Sequence, residues 1–209
     1  MTLPEGPVLG VWAHPDDEAY LSAGLMATAS EAGRRVVVAT ASWGERGTDD
    51  PRRWPPHRLA ARRRRELARS LAAVAQVAAL LDEVKPGLVV TFGPDGMTGH
   101  PDHQAVSAWV TEAWQATGRK AALWYATVAP DYYRDGGALS DRTGIWRGPE
   151  RPCTPHHRLA HTLRCTGRLL DRKRRALAAH ASQTATLRDL VGPAVYDEWW
   201  SRECFVAPA

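Results

Sequence analysis

Two short clusters of histidine and carboxylate residues are the part of the sequence best suited to chemistry. The first, HPDDE at residues 14–18, follows a short apolar run and precedes a helical stretch. The second is HPDH at residues 100–103, which follows another apolar run. Imidazole nitrogens and carboxylate oxygens are common ligands of catalytic zinc, so the two clusters together predict a metal centre.

Spacing within each cluster separates candidate ligands from residues left for chemistry. His14 and Asp17 are three residues apart, so on the first turn of a helix they lie on one face and can bind a single metal ion. Asp16 points about 100° away from that pair and is predicted to act on a water molecule instead. In the second cluster, either His100 or His103 can be the ligand. The alternative for residues 16–18 is a capped helix start whose carboxylates face solvent.

Alternating strands and helices predict how the two clusters are positioned. Four apolar runs are predicted to be strands, at 8–13, 35–41, 87–92 and 121–128, the first two of them buried. Helices are predicted at 19–33, 57–85, 104–117 and 166–181. This order is typical of an α/β fold, here a Rossmann-like three-layer sandwich with a mostly parallel sheet and helices on both faces. The carboxyl ends of its strands share one edge, where both clusters meet Glu45 from the loop after the second strand.

Composition restricts the class of protein. The 209 residues suit a single domain, 1–209, and 44% hydrophobic with 24% charged residues is ordinary for a globular protein. A net charge of +4 is too small to predict nucleic-acid binding, and the arginine run 62–65 is predicted to be a solvated helix face. With no visible secretory signal or membrane span, and three widely spaced cysteines, we expect a cytoplasmic protein. Its oligomeric state is not predicted.

The clusters and their surroundings resemble the LmbE-like (PIG-L) family of zinc-dependent de-N-acetylases. The segments that carry this resemblance are 13–18, 44–47, 63–67, 90–103, 125–127, Lys173 with 176–177, 180–183 and 203–205. Segments 13–18 and 90–103 are the specific ones, and the others are supportive. Family members usually have a further strand and an Asp-Gly turn before the strand that precedes HPDH. That segment is missing here, which leaves the substrate class open.

The resemblance implies roles for the residues of both clusters. It implies a zinc ion bound by His14, Asp17 and His103. Asp16 is implied to be the general base that takes a proton from water, and His100 to stabilise the oxyanion or protonate the leaving amine. The implied reaction is hydrolysis of an N-acetyl (or N-acyl) group from an amino sugar or related small amine.

The resemblance also implies a small N-acetylated substrate, such as a glycoside or amino sugar. Glu45, Arg46 and His180 are the candidate substrate-binding residues, although a single histidine on a helix is equally consistent with a structural role. The irregular stretch 130–162 follows the fourth strand, at the edge where ligands bind. It is therefore predicted to form part of the wall of the substrate pocket.

Two functions from other classes remain open at this point. Carboxylates after a strand can hold magnesium for phosphoryl transfer, although magnesium prefers oxygen ligands and the two histidines favour zinc. The chain can also be a sugar- or nucleotide-binding domain that keeps a metal site without catalysis. Asp16 and His100 argue against that alternative, because binding alone requires neither.

Overall fold

The computed structural model describes residues 3–42, 73–133, 143–146 and 151–208. Its strands are β1 Val8–Trp12, β2 Val36–Thr40, β3 Leu88–Phe92, β4 Ala122–Thr127, β5 His161–Arg164 and β6 Arg202–Val206. They form one sheet in the order β2-β1-β3-β4-β6-β5. The first four strands are parallel, whereas β6 is antiparallel to both β4 and β5. The predicted α/β fold with a mostly parallel sheet is confirmed.

Helices cover both faces of this sheet. They are α1 Asp17–Leu21, α2 Ala23–Glu31, α3 (73–84), α4 Gly96–Gly99, α5 Pro101–Ala116, α6 (130–133), α7 Gly167–Ala179, α8 Ala181–Val191 and α9 Pro193–Trp200, with a 3₁₀ turn at His156–Arg158. The β1-to-β2 and β3-to-β4 connections run across the sheet in opposite directions. Right-handed crossovers therefore place α1 and α2 on one face and α5 on the other. Helix α7 packs against α2.

The central strands form the core of the protein. All five residues of β1 and all five of β3 are buried, as their uninterrupted apolar sequences predict for strands covered on both faces. Strand β2 was also predicted to be buried, and that prediction is wrong. It lies at the edge of the sheet, its residues are exposed or half-buried, and 42% of Val38 is accessible to solvent.

Several predicted helix boundaries are also wrong. The single helix 19–33 is two helices, α1 and α2, because the backbone of Ser22, with φ −146° and ψ 8°, is not helical and separates them. The final helix ends at Ala179, not Ala181, and two further helices and β6 follow it. The stretch 130–162 is not wholly irregular, since it contains α6, the 3₁₀ turn and the start of β5. Of the helix predicted at 57–85, the described part, 73–84, is helical and leads directly to β3.

The sheet brings the two clusters together at one edge. Strands β1 and β3 are hydrogen-bonded neighbours, while the chain leaves β1 for β2 on the opposite side. The carboxyl ends of β1 and β3 therefore flank a crevice at the point where the strand order reverses, the usual ligand site of such sheets. No helix among the described residues is both long and apolar enough to cross a membrane.

Candidate metal centre

The side chains of His14, Asp17 and His103 converge on one point. His14 Nδ1 lies 3.2 Å from His103 Nε2 and 3.7 Å from Asp17 Oδ2, and His103 Nε2 lies 3.5 Å from Asp17 Oδ1. Zinc bonds of 2.0–2.2 Å in tetrahedral geometry place neighbouring ligand atoms about 3.3 Å apart. The three predicted ligands are therefore spaced as a metal ion requires, and they form one of two His/Asp groups of suitable geometry among the described residues.

A turn at the end of β1, rather than a helix, brings His14 and Asp17 together. Helix α1 begins at Asp17, so the prediction that His14 and Asp17 share the first turn of a helix is wrong. The backbone N–H of His14 donates to Asp17 Oδ2 over 2.8 Å, and the N–H of Asp17 is 3.4 Å from the carbonyl of His14. This reciprocal pair of contacts fixes the Asp17 carboxylate beside the His14 ring.

His103 is held in one orientation by its second ring nitrogen. Its Nδ1 lies 3.0 Å from the carbonyl oxygen of Gly96, which can only accept, so the proton must be on Nδ1 and Nε2 presents a lone pair. The ring also stacks on Phe92 at 4.1 Å. Burial lowers the pKa of His103 to about 4, which keeps this imidazole neutral, as a ligand must be. Gly96 has a φ of +69°, and a Cβ there would lie 2.8 Å from Gln104.

Asp17 is the buried carboxylate of the centre. Burial raises its pKa to about 8, and the nearby charges of Asp16 and Glu18 add to this effect, while the hydrogen bond from the His14 backbone opposes it. A carboxylate in such surroundings is stabilised by a bound cation. The donor set of two imidazoles and one carboxylate thus suits a divalent transition metal.

Asp102 contacts the candidate centre, although the sequence did not identify it as a site residue. Its Oδ2 lies 3.1 Å from His14 Nε2, and because a carboxylate only accepts, His14 must carry its proton on Nε2 and present Nδ1 to the metal. Such a carboxylate–histidine pair orients the ligand and raises its basicity. Its one sequence signal is a carboxylate between the two histidines of the second cluster. His14, His100 and Asp102 form the second group that can hold a metal ion.

Asp16 lies beside this centre with a strained backbone. Its φ of 129° and ψ of −27° are sterically unfavourable for a residue with a Cβ, and such conformations concentrate at functional sites. This conformation, not rotation along a helix, separates Asp16 from Asp17. Burial and then the Glu18 charge raise the pKa of Asp16 to about 6. The carboxylate is therefore mostly ionised at neutral pH but more basic than an ordinary aspartate.

His100 lies next to the two ligand histidines. Its ring is centred 5.0 Å from the rings of both His14 and His103. It precedes α5, and its Nδ1 accepts a hydrogen bond of 3.1 Å from the backbone N–H of Asp102. A neutral His100 therefore carries its proton on Nε2.

Of the three predicted substrate-binding residues, only His180 lies within the described part of the chain. His180 is close to the cluster, because its Nε2 lies 2.9 Å from Glu18 Oε1 while Glu18 Oε2 accepts from the backbone N–H of Asp16. Glu18 thus connects His180 to the candidate base, a link that the sequence did not reveal. Glu45 and Arg46 lie outside the described residues.

Comparisons with known proteins place this geometry in context. The sequence profile of the PIG-L family, described as GlcNAc-PI de-N-acetylase, matches residues 9–77. A relative from Rhodococcus opacus (strain B4) is named 1D-myo-inositol 2-acetamido-2-deoxy-alpha-D-glucopyranoside deacetylase. It is 28% identical over 240 residues, which cover 86% of this chain and 82% of the relative.

Solved structures share the fold at low sequence identity. A deacetylase triple mutant from the teicoplanin biosynthetic pathway has a TM-score of 0.58 at 16% identity, covering 96% of this chain and 97% of its own. The 4-carboxy-2-hydroxymuconate hydratase GalB from Pseudomonas putida KT2440 has a TM-score of 0.56 at 16% identity, covering 98% and 97%. Because a hydratase and a deacetylase share this fold, the reaction must be argued from the site.

Proposed function

We propose that this chain, which belongs to the PIG-L (LmbE-like) family as its sequence predicts, is a zinc-dependent hydrolase that removes an N-acetyl group from an amino sugar or a related glycoside. The relative from Rhodococcus is named for that reaction on a GlcNAc-inositol glycoside, and this chain spans most of its length. We further propose that residues 1–209 act as one catalytic domain in the cytoplasm.

The convergence of His14 Nδ1, His103 Nε2 and an Asp17 oxygen within 3.2–3.7 Å is the observation that carries the proposal. Two nitrogen ligands and one oxygen ligand favour zinc over magnesium, which prefers oxygen alone. A zinc ion supplies Lewis acidity, which polarises a carbonyl oxygen and makes water more acidic. The same donor set argues against the alternative of magnesium-dependent phosphoryl transfer.

Asp16 is proposed as the general base. A pKa of about 6 leaves about nine in ten Asp16 side chains ionised at pH 7, and the carboxylate is still basic enough to take a proton from the attacking water. The oxygen of that water then forms a bond to the acetamide carbon. The C–N bond breaks, acetate leaves, and the amine nitrogen takes up the proton.

His100 is proposed to face the reacting carbonyl group. With Nδ1 occupied by the Asp102 backbone N–H, its Nε2–H is the group that stabilises the developing negative charge or protonates the leaving amine. Pro101 separates His100 from Asp102, and His103 follows in the first turn of α5. We therefore assign His103 as the metal ligand and His100 as the catalytic residue.

His180, Glu45 and Arg46 are proposed to contact the sugar. The His180 side chain contacts Glu18, and Glu18 in turn accepts a hydrogen bond from the backbone N–H of Asp16. Glu45 and Arg46 follow β2, whose carboxyl end lies beside that of β1 in the parallel sheet.

Acetate release from N-acetylated amino sugars tests the proposal. Protein loaded with one equivalent of zinc is incubated with N-acetylglucosamine and with its methyl and inositol glycosides, and acetate and free amine are both quantified. We expect the two products in equal amounts, and no product from the matched Asp16→Asn variant. Zinc binding without product from any substrate would support a binding domain instead. Activity with magnesium alone would overturn the choice of zinc.

A further inference from the structure

Both main-chain polar groups of Asp16 are bonded, although its backbone is strained. The carbonyl accepts from the N–H groups of Ala19 and Tyr20 at 2.9 and 3.1 Å, as at the start of a helix. The N–H donates to Glu18 Oε2 over 3.1 Å, so its partner is a side chain. A φ of 129° persists only where the surroundings hold it. The Glu18 carboxylate is therefore one of the groups that hold Asp16 in this conformation.

The contact between Glu18 and Asp16 resembles one half of a capping box. In the full motif, an acidic side chain accepts from the N–H of the N-cap residue, and the N-cap side chain accepts from the helix in return. Asp16 is the N-cap residue of α1, but within the described chain its side chain makes no capping hydrogen bond. The helix thus uses the backbone of Asp16 and leaves its carboxylate for the reaction.

The second carboxylate oxygen of Glu18 contacts His180. Oε1 lies 2.9 Å from His180 Nε2, and since a carboxylate only accepts, the imidazole proton must be on Nε2. Only 18% of the Glu18 side chain and 29% of the His180 side chain are accessible to solvent. The two oxygens of Glu18 therefore join the backbone of Asp16 to the junction of α7 and α8.

His180 is fixed in place by its own surroundings. It lies between α7 and α8, and its carbonyl accepts from the N–H of the buried Thr184 at 3.0 Å. Helix α7 is joined to α1 a second time by Lys173, whose Nζ donates to the carbonyl of Tyr20 over 2.7 Å. The Glu18 side chain is thus held against a helix junction that is itself anchored to α1.

We propose that Glu18 is a positioning residue, which holds the backbone of Asp16 so that the Asp16 carboxylate meets the attacking water, and that His180 keeps Glu18 in place. This inference rests on the proposed hydrolase function, in which Asp16 is the general base. Placement matters because an error of about 1 Å can cost about 100-fold in rate. The role is separable from the sugar contact proposed for His180, since losing a substrate contact raises KM whereas misplacing the base lowers kcat.

Two substitutions of Glu18 test the positioning role in the zinc-loaded chain. Glu18→Ala removes the acceptor of the Asp16 N–H and should lower kcat for acetate release about 10- to 100-fold, with KM and zinc content unchanged. Glu18→Gln keeps an acceptor oxygen in nearly the same place and should restore most of the lost kcat. The control is Glu31→Ala, which removes an exposed carboxylate paired with Arg172 of α7 and should change none of these values.

Substitutions of His180 test the second link. His180→Ala should lower kcat as Glu18→Ala does, because the Glu18 side chain loses the donor that orients it. His180→Gln carries an amide N–H that can donate to Glu18 and should restore much of this loss. A double variant with Glu18→Ala and His180→Ala should have the same kcat as Glu18→Ala alone, because His180 acts through Glu18.

Amide hydrogen exchange reports the positioning without any turnover. Exchange of the Asp16 N–H, followed by NMR on the zinc-free chain, should become about two- to tenfold faster in Glu18→Ala and in His180→Ala, the range for loss of one hydrogen bond. It should remain near the wild-type rate in Glu18→Gln. The reference is the N–H of Gly24, which donates to Glu203 at 2.6 Å and should exchange at an unchanged rate in all variants.

The outcomes separate this inference from the proposed function. Wild-type kcat or unchanged Asp16 exchange in Glu18→Ala would overturn the positioning role while the hydrolase proposal stands. A Glu18→Gln variant as slow as Glu18→Ala would overturn it in favour of the charge of Glu18. A raised KM with unchanged kcat in His180→Ala would overturn the second link and leave that histidine only the sugar contact. If the wild type releases no acetate but the Asp16 exchange responds as expected, the hydrolase proposal fails and the link from His180 to Asp16 stands.

Discussion

The Nε2 atom of His14 lies 3.1 Å from Oδ2 of Asp102, and this contact joins the loop after β1 to the first turn of α5. This contact places the His14 proton on the side away from Asp17 and His103, so that Nδ1 presents its lone pair to them. The carboxylate therefore determines which nitrogen of His14 can act as a ligand. It does so from a largely exposed position, with 62% of the Asp102 side chain accessible to solvent.

We expect Asp102→Ala to lower zinc affinity without removing a ligand. Loss of such an orienting carboxylate typically weakens metal binding about 10- to 100-fold. The measurement is competition for zinc with a chelator of known affinity. The control is Glu112→Ala, which removes a carboxylate from the same helix, α5, and should leave zinc affinity unchanged. An Asp102→Ala protein with unaltered affinity would show that the carboxylate does not orient His14.

The ligands were predictable because they lie in the two segments that follow the central strands, His14 and Asp17 after β1 and His103 after β3. Sequence alone identifies such strands by their uninterrupted apolar runs, and the edge of a parallel sheet then brings their ends together. The contact between His14 and Asp102 was not predictable in this way, because it depends on how the loop after β1 faces the first turn of α5. The backbone strain at Asp16 was not predicted because the spacing of His14 and Asp17 suggested a regular helical turn. In the structure, α1 begins only at Asp17, and Asp16 precedes it.

The two histidines of the second cluster should separate into a ligand and a catalytic residue. We expect His103→Ala to lose most of its zinc, measured by elemental analysis after dialysis. We expect His100→Asn to retain zinc but to lose about 100- to 1,000-fold in kcat, as for the loss of an oxyanion donor. Asparagine is chosen because its side chain can still accept the Asp102 N–H before α5. Near-normal kcat in His100→Asn would remove its catalytic role.

Substitutions of Asp16 should separate its chemistry from its backbone strain. Asp16→Asn keeps the size and hydrogen-bonding capacity of the side chain and should retain zinc while losing hydrolysis, because an amide cannot take a proton from water. Asp16→Gly should be about 1–2 kcal/mol more stable than Asp16→Ala, since glycine adopts a φ of 129° without steric cost. Chemical denaturation measures this difference. Zinc loss in Asp16→Asn would make Asp16 a ligand.

The raised pKa of Asp17 predicts how the stability of the metal-free protein depends on pH. Burial raises the pKa of this carboxyl from 3.8 to about 8, so the folded state binds more protons than the unfolded state between these values. The stabilisation that Asp17 contributes is therefore present at low pH and is lost as pH rises towards 8. The expected slope from this one group is at most about 1.4 kcal/mol per pH unit.

Asp17→Asn isolates that slope, because an asparagine does not titrate. Urea unfolding with a chelator present, from pH 5 to 8.5, should show the wild type losing stability relative to this variant as pH rises. His103 acts in the opposite direction below its ordinary pKa, since burial lowers it to about 4, and it is present in both proteins. Parallel stability curves would show that Asp17 is already ionised in the metal-free fold.

The carboxyl-terminal part of the fold was the least predictable from sequence. Strands β5 (HTLR) and β6 (RECFV) contain charged and polar residues, so neither has the uninterrupted apolar run that identified β1 and β3. Helices α8 and α9 are separated by Gly192, with a φ of +81°, and neither of them is predicted from the sequence. Tertiary contacts, rather than local pattern, determine this region, and the contacts of Glu203 are the main example.

The carboxylate of Glu203 connects β6 by hydrogen bonds to the start of α2 and to α7. It accepts from the backbone N–H groups of Gly24 and Leu25 at 2.6 and 2.7 Å, and from Lys173 Nζ at 2.7 Å, with both charged side chains fully buried. We expect Glu203→Gln to cost about 3–5 kcal/mol in the free energy of unfolding, because it leaves the ammonium group of Lys173 buried without its counter-charge. Urea denaturation measures this loss.

A double-mutant cycle determines whether that cost arises from the unpaired charge. The variant carrying both Lys173→Met and Glu203→Gln should be more stable than the sum of the single losses indicates, because it leaves no isolated buried charge. The control is the exposed pair of Arg172, also on α7, with Glu31 of α2, whose groups lie 2.6 Å apart. Its coupling should be below about 1 kcal/mol, since solvent screens both groups. Strictly additive losses at Lys173 and Glu203 would instead assign the cost to lost packing and to the unmet N–H groups of Gly24 and Leu25.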